Sequence, residues 1–297
     1  MVKKVLIIGT GSVSLKHKSA LTLISKKIII VSVASRKFSN RYLSKKKKDF
    51  DYIVICSPST CHLQHLQIIE KNFINKKVLI EKPIFNKFYS FKKKLKNSYF
   101  VGYNLRFHPL IRYLKNFLIK KKIYSVYAIS HSFLPDWRKI DYKKSVSAKK
   151  KLGGGVLLEL SHELDYLKWI FKDIEIFNVF NKKISNLKID VDDILNISGL
   201  LSKKIYFNLN INFFSRLSSR KIKIDGNNFS LNVDLINNSV EIFHGRKKLL
   251  KRFSNVKLIN TYKDQHLEII KNKIFNICTF REGLDLIQLI EKIKNYA

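Results

Sequence analysis

Two short segments of the chain carry residue types and spacings that could do chemistry. "VLIIGTGSVSLKH" sets Gly9 and Gly11 directly after an apolar run, in G-x-G-x-x-S form. Gly9 permits a tight turn, and Gly11 lets backbone N–H groups approach a pyrophosphate where Ser12 and Val13 open a helix. Ser14 takes the place of a third glycine and is small enough to keep helix and strand close. "VLIEKP" puts Glu81 and Lys82 at the end of another apolar run, with Pro83 fixing the backbone that follows. A lysine there, beside a nicotinamide, could orient a hydroxyl or move its proton. The bland alternative is a solvated strand end.

Two more segments extend this pattern. A second strand ending "VASRK" places Ser35 and Arg36 where an acid would bind a ribose 2′-hydroxyl. Arg at that point accommodates a 2′-phosphate, so NADP is favoured over NAD. "CSPSTCH" follows a third apolar run, so Ser57, Pro58 and His62 should border the cofactor, with Thr60 capping the next helix. A metal reading of Cys56, Cys61, His62 and His65 lacks a partner cluster, and no metal is expected.

The elements that must position these residues are legible as runs. Apolar stretches at 3–8, 27–34, 51–56, 77–80 and 99–103 lack polar alternation, as strands buried on both faces do. Helical patterns separate several of them, which predicts an α/β fold with a doubly wound parallel sheet over residues 1–120. From about residue 123 the pattern shifts to successive strands at 123–133, 174–181, 193–201, 204–214, 220–225, 228–234 and 239–243. "KIKID" alternates cleanly there, so residues 121–297 should form an α+β domain with a mostly antiparallel, open-faced sheet. "GGGVLLELSHELDYLKWIF" reads as a glycine turn opening one apolar helix. The stretch from about 265 to 297 is helical again and free to pack back on the first domain. The open face predicts a homodimer or homotetramer.

"EKP", then "VGYNLRFHP", then "GGGVLLELSHELD", in that order, resemble the Gfo/Idh/MocA family of NAD(P)-dependent oxidoreductases, especially members of bacterial surface-sugar and sialic-acid-like biosynthesis. The resemblance spans essentially the whole chain. It implies a Rossmann domain, a C-terminal sheet, and hydride transfer at a hydroxyl-bearing carbon of a sugar or nucleotide sugar. It assigns Lys82 to the reacting hydroxyl, and His162 with Asp165 to proton exchange in an H-x-x-D element. It also places Tyr103, Asn104 and Arg106 against cofactor or substrate. Trp137 and Arg138, in "DWRKIDYKKS", would border the substrate or simply anchor that loop. Family polyol dehydrogenases carry an aspartate four residues before the histidine; here Glu159 stands three before. Residues 34–51 are short for the family, which usually fits another helix and strand there. A catalytically degenerate member that only binds a nucleotide or sugar is the alternative reading.

Composition narrows the partners. The net charge of +36 is carried mostly by Lys, spread along a chain rich in Ile and Asn. Such Lys is what an AT-rich genome writes at tolerant surface positions, and the Arg that reads phosphates and bases is scarce. Nucleic acid is therefore not expected as a partner. No apolar run approaches the ~20 residues of a membrane span. Three cysteines without a CxxC pair suit a reducing cytoplasm.

Overall fold

A computed structural model describes residues 2–45, 49–139 and 141–296. In chain order the elements are β1 (Lys4–Ile8), α1 (Ser12–Ile24), β2 (Ile29–Val33), α2 (Asn40–Ser44), β3 (Tyr52–Ile55), α3 (His62–Asn72), β4 (Lys77–Ile80), β5 (Ser98–Val101), α4 (Pro109–Phe117) and β6 (Ile123–Phe133). They continue with α5 (Val156–Glu159), α6 (His162–Phe171), β7 (Ile174–Lys182), β8 (Ile194–Leu201), β9 (Ile205–Asn212), β10 (Phe214–Gly226), β11 (Phe229–Asp234), β12 (Ser239–His244) and β13 (Lys247–Arg252). The last are α7 (Leu258–Ile270), β14 (Cys278–Thr279) and α8 (Phe280–Tyr296).

The chain divides into two compact units, Met1–Phe107 with Lys257–Gln288, and His108–Val256 with Leu289–Ala297. The sequence pattern placed the division near residue 120. The amphipathic α4 instead belongs with the second unit, and α7 belongs with the first.

The first unit is built on a sheet ordered β14-β5-β4-β3-β1-β2. β2, β1, β3, β4 and β5 run parallel, and the two-residue β14 adds antiparallel to β5. The apolar runs behave as their composition demands: Tyr52–Ile55, Val78–Ile80 and Val5–Ile8 are fully buried. Each such Val, Leu or Ile contributes roughly 1.5–3 kcal/mol. Between β2 and β3 the described residues hold one short turn, Ser35–Lys37, and α2, with no strand. Part of that short segment, Lys46–Lys48, lies outside the described residues. Because β1 pairs with β2 on one side and β3 on the other, the strand order reverses between β1 and β3, the switch point where open α/β sheets bind ligands at the strands' carboxyl ends.

The second unit has an eight-stranded sheet, β13-β12-β11-β10-β6-β9-β8-β7. Only β6 and β9 pair in parallel; the other neighbours are antiparallel. Period-two alternation sends Val126, Ile197, Leu209, Ile224 and Val233 into the core. On the other face Tyr127 and Tyr206 stand exposed with their ring centroids 5.9 Å apart. β10 begins six residues earlier than its apolar alternation indicates, because "FSRLSS" joins by backbone pairing with a register shift against β6. β13, "KKLLKR", is exposed along its length and had no pattern to announce it. Among the described residues no helix is long and apolar enough to cross a membrane.

Candidate active site

In the first unit the parallel strands deliver their predicted residues to one edge of the sheet. After β1, Gly9 has φ +123°, and a Cβ there would fall 2.6 Å from the Cys56 carbonyl oxygen, so only glycine fits beside β3. Gly11 caps α1 and has open space where a side chain would project. The first-turn amides of Ser12 and Val13 lie at this helix start, where N–H groups lack intrahelical acceptors. That open cradle and helix start fit a pyrophosphate. Ser14 is fully buried, and its hydroxyl donates to the Gly11 carbonyl at 2.6 Å.

The β2 and β3 ends are tied together by His65 of α3. Its Nδ1 lies 2.9 Å from Ser57 Oγ and its Nε2 3.4 Å from Ser35 Oγ. Burial, reinforced by His62 beside it, pushes this imidazole down to about 4. Sequence spacing alone gives His65 no role beyond the metal grouping set aside above; among the described residues no group of three or more His, Cys, Asp or Glu is gathered to hold a metal. Arg36 is exposed beyond Ser35 in the Ser35–Lys37 turn.

His62 does not face the crevice. Its fully buried ring spans from the Ser57 carbonyl, 2.8 Å from Nε2, to the carbonyls of Ile84 and Pro83, 3.0 and 3.2 Å from Nδ1. It therefore sets the spacing between the loop carrying Ser57 and Pro58 and the segment after Lys82. A single turn, Ser59–Cys61, precedes α3, so Thr60 is not that helix's cap.

At the β4 end the two neighbours part. Lys82 is half-buried, and the peptide bond to Pro83 is cis. Glu81 turns inward: Oε1 lies 2.8 Å from Nε2 of the buried His17, and Oε2 accepts the Lys82 backbone N–H at 3.2 Å. Lys77, which reads as compositional background, is also recruited, donating to the Ile270 carbonyl at the end of α7. Beyond β5, Tyr103, Asn104 and Arg106 are all buried. Asn104 donates to Thr261 Oγ1 at 2.7 Å, and Arg106 pairs with Glu282 at 2.9 Å. Burial opposes the charge on Glu282, but Arg106 together with the N–H and hydroxyl of Thr279 outweighs it, and the carboxyl titrates lower than usual. Asn104 and Arg106 thus hold α7 and α8 to the strand end.

In the second unit, His162 and Asp165 share one face of α6, His162 half-buried and Asp165 buried. The predicted single helix is two. The chain breaks at Leu160 and Ser161, where the Ser161 hydroxyl donates to the Leu158 carbonyl at 2.9 Å, so Glu159 closes α5 and His162 opens α6. The turn before α5 is held by Asp192, whose carboxylate accepts the Leu157 N–H at 2.9 Å; burial pushes its carboxyl up. Next to the pair, buried Glu163 forms an ion pair with Arg220 at 2.6 Å. Neither Asp192 nor Arg220 carries a local motif. Trp137 packs edge-on against Phe213, centroids 5.1 Å apart, which anchors its loop, and Arg138 beside it is exposed.

No family model matches the chain. Glucose-6-phosphate 3-dehydrogenase of Bacillus subtilis (strain 168) is 25% identical over 238 residues, covering 70% of this chain and 67% of that protein. Among solved structures, UDP-N-acetylglucosamine 3-dehydrogenase from Acidithiobacillus ferrooxidans matches with a TM-score of 0.76 at 15% identity, over 99% of this chain and 97% of that one. An inositol dehydrogenase homolog from Azotobacter vinelandii, complexed with NAD+, matches with a TM-score of 0.77 at 11% identity, over 100% and 95%. The two-unit fold is that of Gfo/Idh/MocA-type dehydrogenases, and the resemblance read from the three motifs is borne out.

Proposed function

We propose that the chain is an NAD(P)-dependent oxidoreductase of Gfo/Idh/MocA type, acting on a hydroxyl-bearing carbon of a sugar or nucleotide sugar. The observation that carries this reading is the β1 loop, where Gly9 packs on the Cys56 backbone and Gly11 leaves open space at the start of α1. A bound nicotinamide supplies the two-electron chemistry.

The chain's own residues divide the remaining work. Gly9, Gly11 and the amides of Ser12 and Val13 bind the pyrophosphate. Ser35 and Arg36 take the adenosine ribose, and the cation without an acid at the β2 end favours NADP. Ser57 and Pro58 border the cofactor, and His62 spaces their loop. Lys82 orients the substrate oxygen, and His162, backed by Asp165, exchanges the hydroxyl proton. Arg138 and Glu159 border the substrate, and buried Tyr103 packs behind the β5 end.

The two relatives named as 3-dehydrogenases act, by name, on a sugar phosphate and a nucleotide sugar. A phosphate-bearing sugar is the substrate class we infer, with a role in surface polysaccharide assembly in the cytoplasm. The exposed Tyr127 and Tyr206 on the open sheet face support a pairing of two copies there.

Turnover assays on the purified chain test this reading, with NADPH or NADP and NADH or NAD in parallel, against glucose 6-phosphate, UDP-N-acetylglucosamine and other phosphorylated or nucleotide sugars. Saturable cofactor binding and turnover of at least one sugar is the expected result. Failure to bind either cofactor overturns it.

A further inference from the structure

A row of four buried side chains runs inward from the β4 end and takes no part in the reaction as assigned. Tyr52 Oη lies 2.9 Å from His266 Nδ1, His266 Nε2 lies 2.9 Å from His17 Nδ1, and His17 Nε2 lies 2.8 Å from Glu81 Oε1. Tyr52, His17 and His266 are fully buried and Glu81 nearly so. The four come from β3, α7, α1 and the end of β4, so no local motif assembles them. The space for the carboxylate is also built: a Cβ on Gly102 would fall 2.7 Å from Glu81 Oε1.

With His17 neutral, donor and acceptor capacities allow one arrangement. A carboxylate only accepts, so His17 presents Nε2–H to Glu81. In a neutral ring its Nδ1 then accepts, which makes His266 an Nε2–H donor. His266 Nδ1 accepts in turn, from the Tyr52 hydroxyl. Every proton in the row points toward Glu81. Burial holds His266 neutral and the Tyr52 hydroxyl protonated. Passing a proton along the row from Tyr52 would leave a buried phenolate, so the row is a brace rather than a proton path. The other titratable groups around the carboxylate are Cys56 just after β3, Tyr262 of α7 and His62 of α3, and burial keeps Cys56 and Tyr262 neutral.

We propose that Tyr52, His266 and His17 brace the Glu81 carboxylate, which grips the Lys82 backbone N–H, making His17 a positioning residue for the strand end that carries Lys82. The role of that strand end rests on the reading above; the brace itself does not.

NMR of isotopically labelled protein tests it without substrate. His17 should carry a slowly exchanging Nε2–H held by Glu81, and the His266 ring should stay neutral from neutral to mildly acidic pH. His17→Phe should speed Lys82 amide exchange about tenfold, the scale of one lost hydrogen bond to a charged group. His17→Gln, which keeps a donor toward Glu81, should restore most of the protection. Gly102→Ala crowds the carboxylate without deleting a polar group and should act in the same direction, which keeps the test available if His17→Phe does not fold. A rapidly exchanging His17 Nε2–H, a charged His266 ring, or unchanged Lys82 exchange in a folded variant overturns the brace. Absence of sugar turnover in the unmodified protein overturns only the catalytic reading.

Discussion

Ser14 Oγ donates to the Gly11 carbonyl at 2.6 Å, so the residue that departs from the three-glycine pattern closes the loop it belongs to. The helix keeps close contact with the sheet because the serine is fully buried. Ser14→Ala should weaken NADPH binding several-fold and cost about 1 kcal/mol of stability, the worth of one hydrogen bond. Quenching of Trp fluorescence by NADPH and a denaturant titration read the two effects; an unchanged affinity would remove the loop from the binding argument.

Cofactor choice should hinge on the β2 end. Arg36 is exposed there and no acid stands beside it. Arg36→Glu should weaken NADPH binding about tenfold or more while changing NADH affinity little, since a charge-assisted contact to phosphate is lost. Equal losses for both cofactors would argue against a 2′-phosphate site.

Stability should fall as pH drops below about 6.5. Burial, reinforced by His62 beside one and Arg220 beside the other, pushes His65 and His108 from 6.5 to about 4, and burial takes His266 well below 6.5. Their folded values are depressed, so between these limits the unfolded chain binds more protons. Stability is then full above the unfolded value and lost as pH falls toward the folded ones, by up to ~1.4 kcal/mol per pH unit for each group. Denaturant midpoints measured across this range should decline with acidity, and less steeply in His65→Gln. A flat profile would contradict the buried neutral rings.

His162 opens α6 three residues before Asp165. His162→Ala should lower kcat about a hundredfold, flatten its pH profile and leave NADPH binding unchanged. An unchanged kcat would return His162 to the role of a core histidine.

The parallel strands were legible because Lys77–Ile80 and Tyr52–Ile55 have no polar alternation, and burial on both faces is the physical cause. The Gly9 turn and the Glu81–Lys82 strand end were legible for the same reason, since each follows such a run. What stayed hidden is non-local. His17 and His266 carry no local signal in their helical stretches and His65 figures only in the metal grouping set aside above; only the sheet order brings them to Glu81, Tyr52 and Ser57. The break between α5 and α6 was hidden too, because an apolar run does not reveal a serine that bonds its own preceding turn.

On the function proposed above, Lys82, at the end of β4, acts on the substrate rather than belonging to the chain's lysine background. Steady-state turnover of Lys82→Met with NADPH and the best sugar of the panel, measured beside NADPH affinity, tests it most directly. The expected result is a fall in kcat of about a hundredfold or more with cofactor affinity within about threefold of the unmodified protein. Unchanged turnover in the folded variant would contradict it.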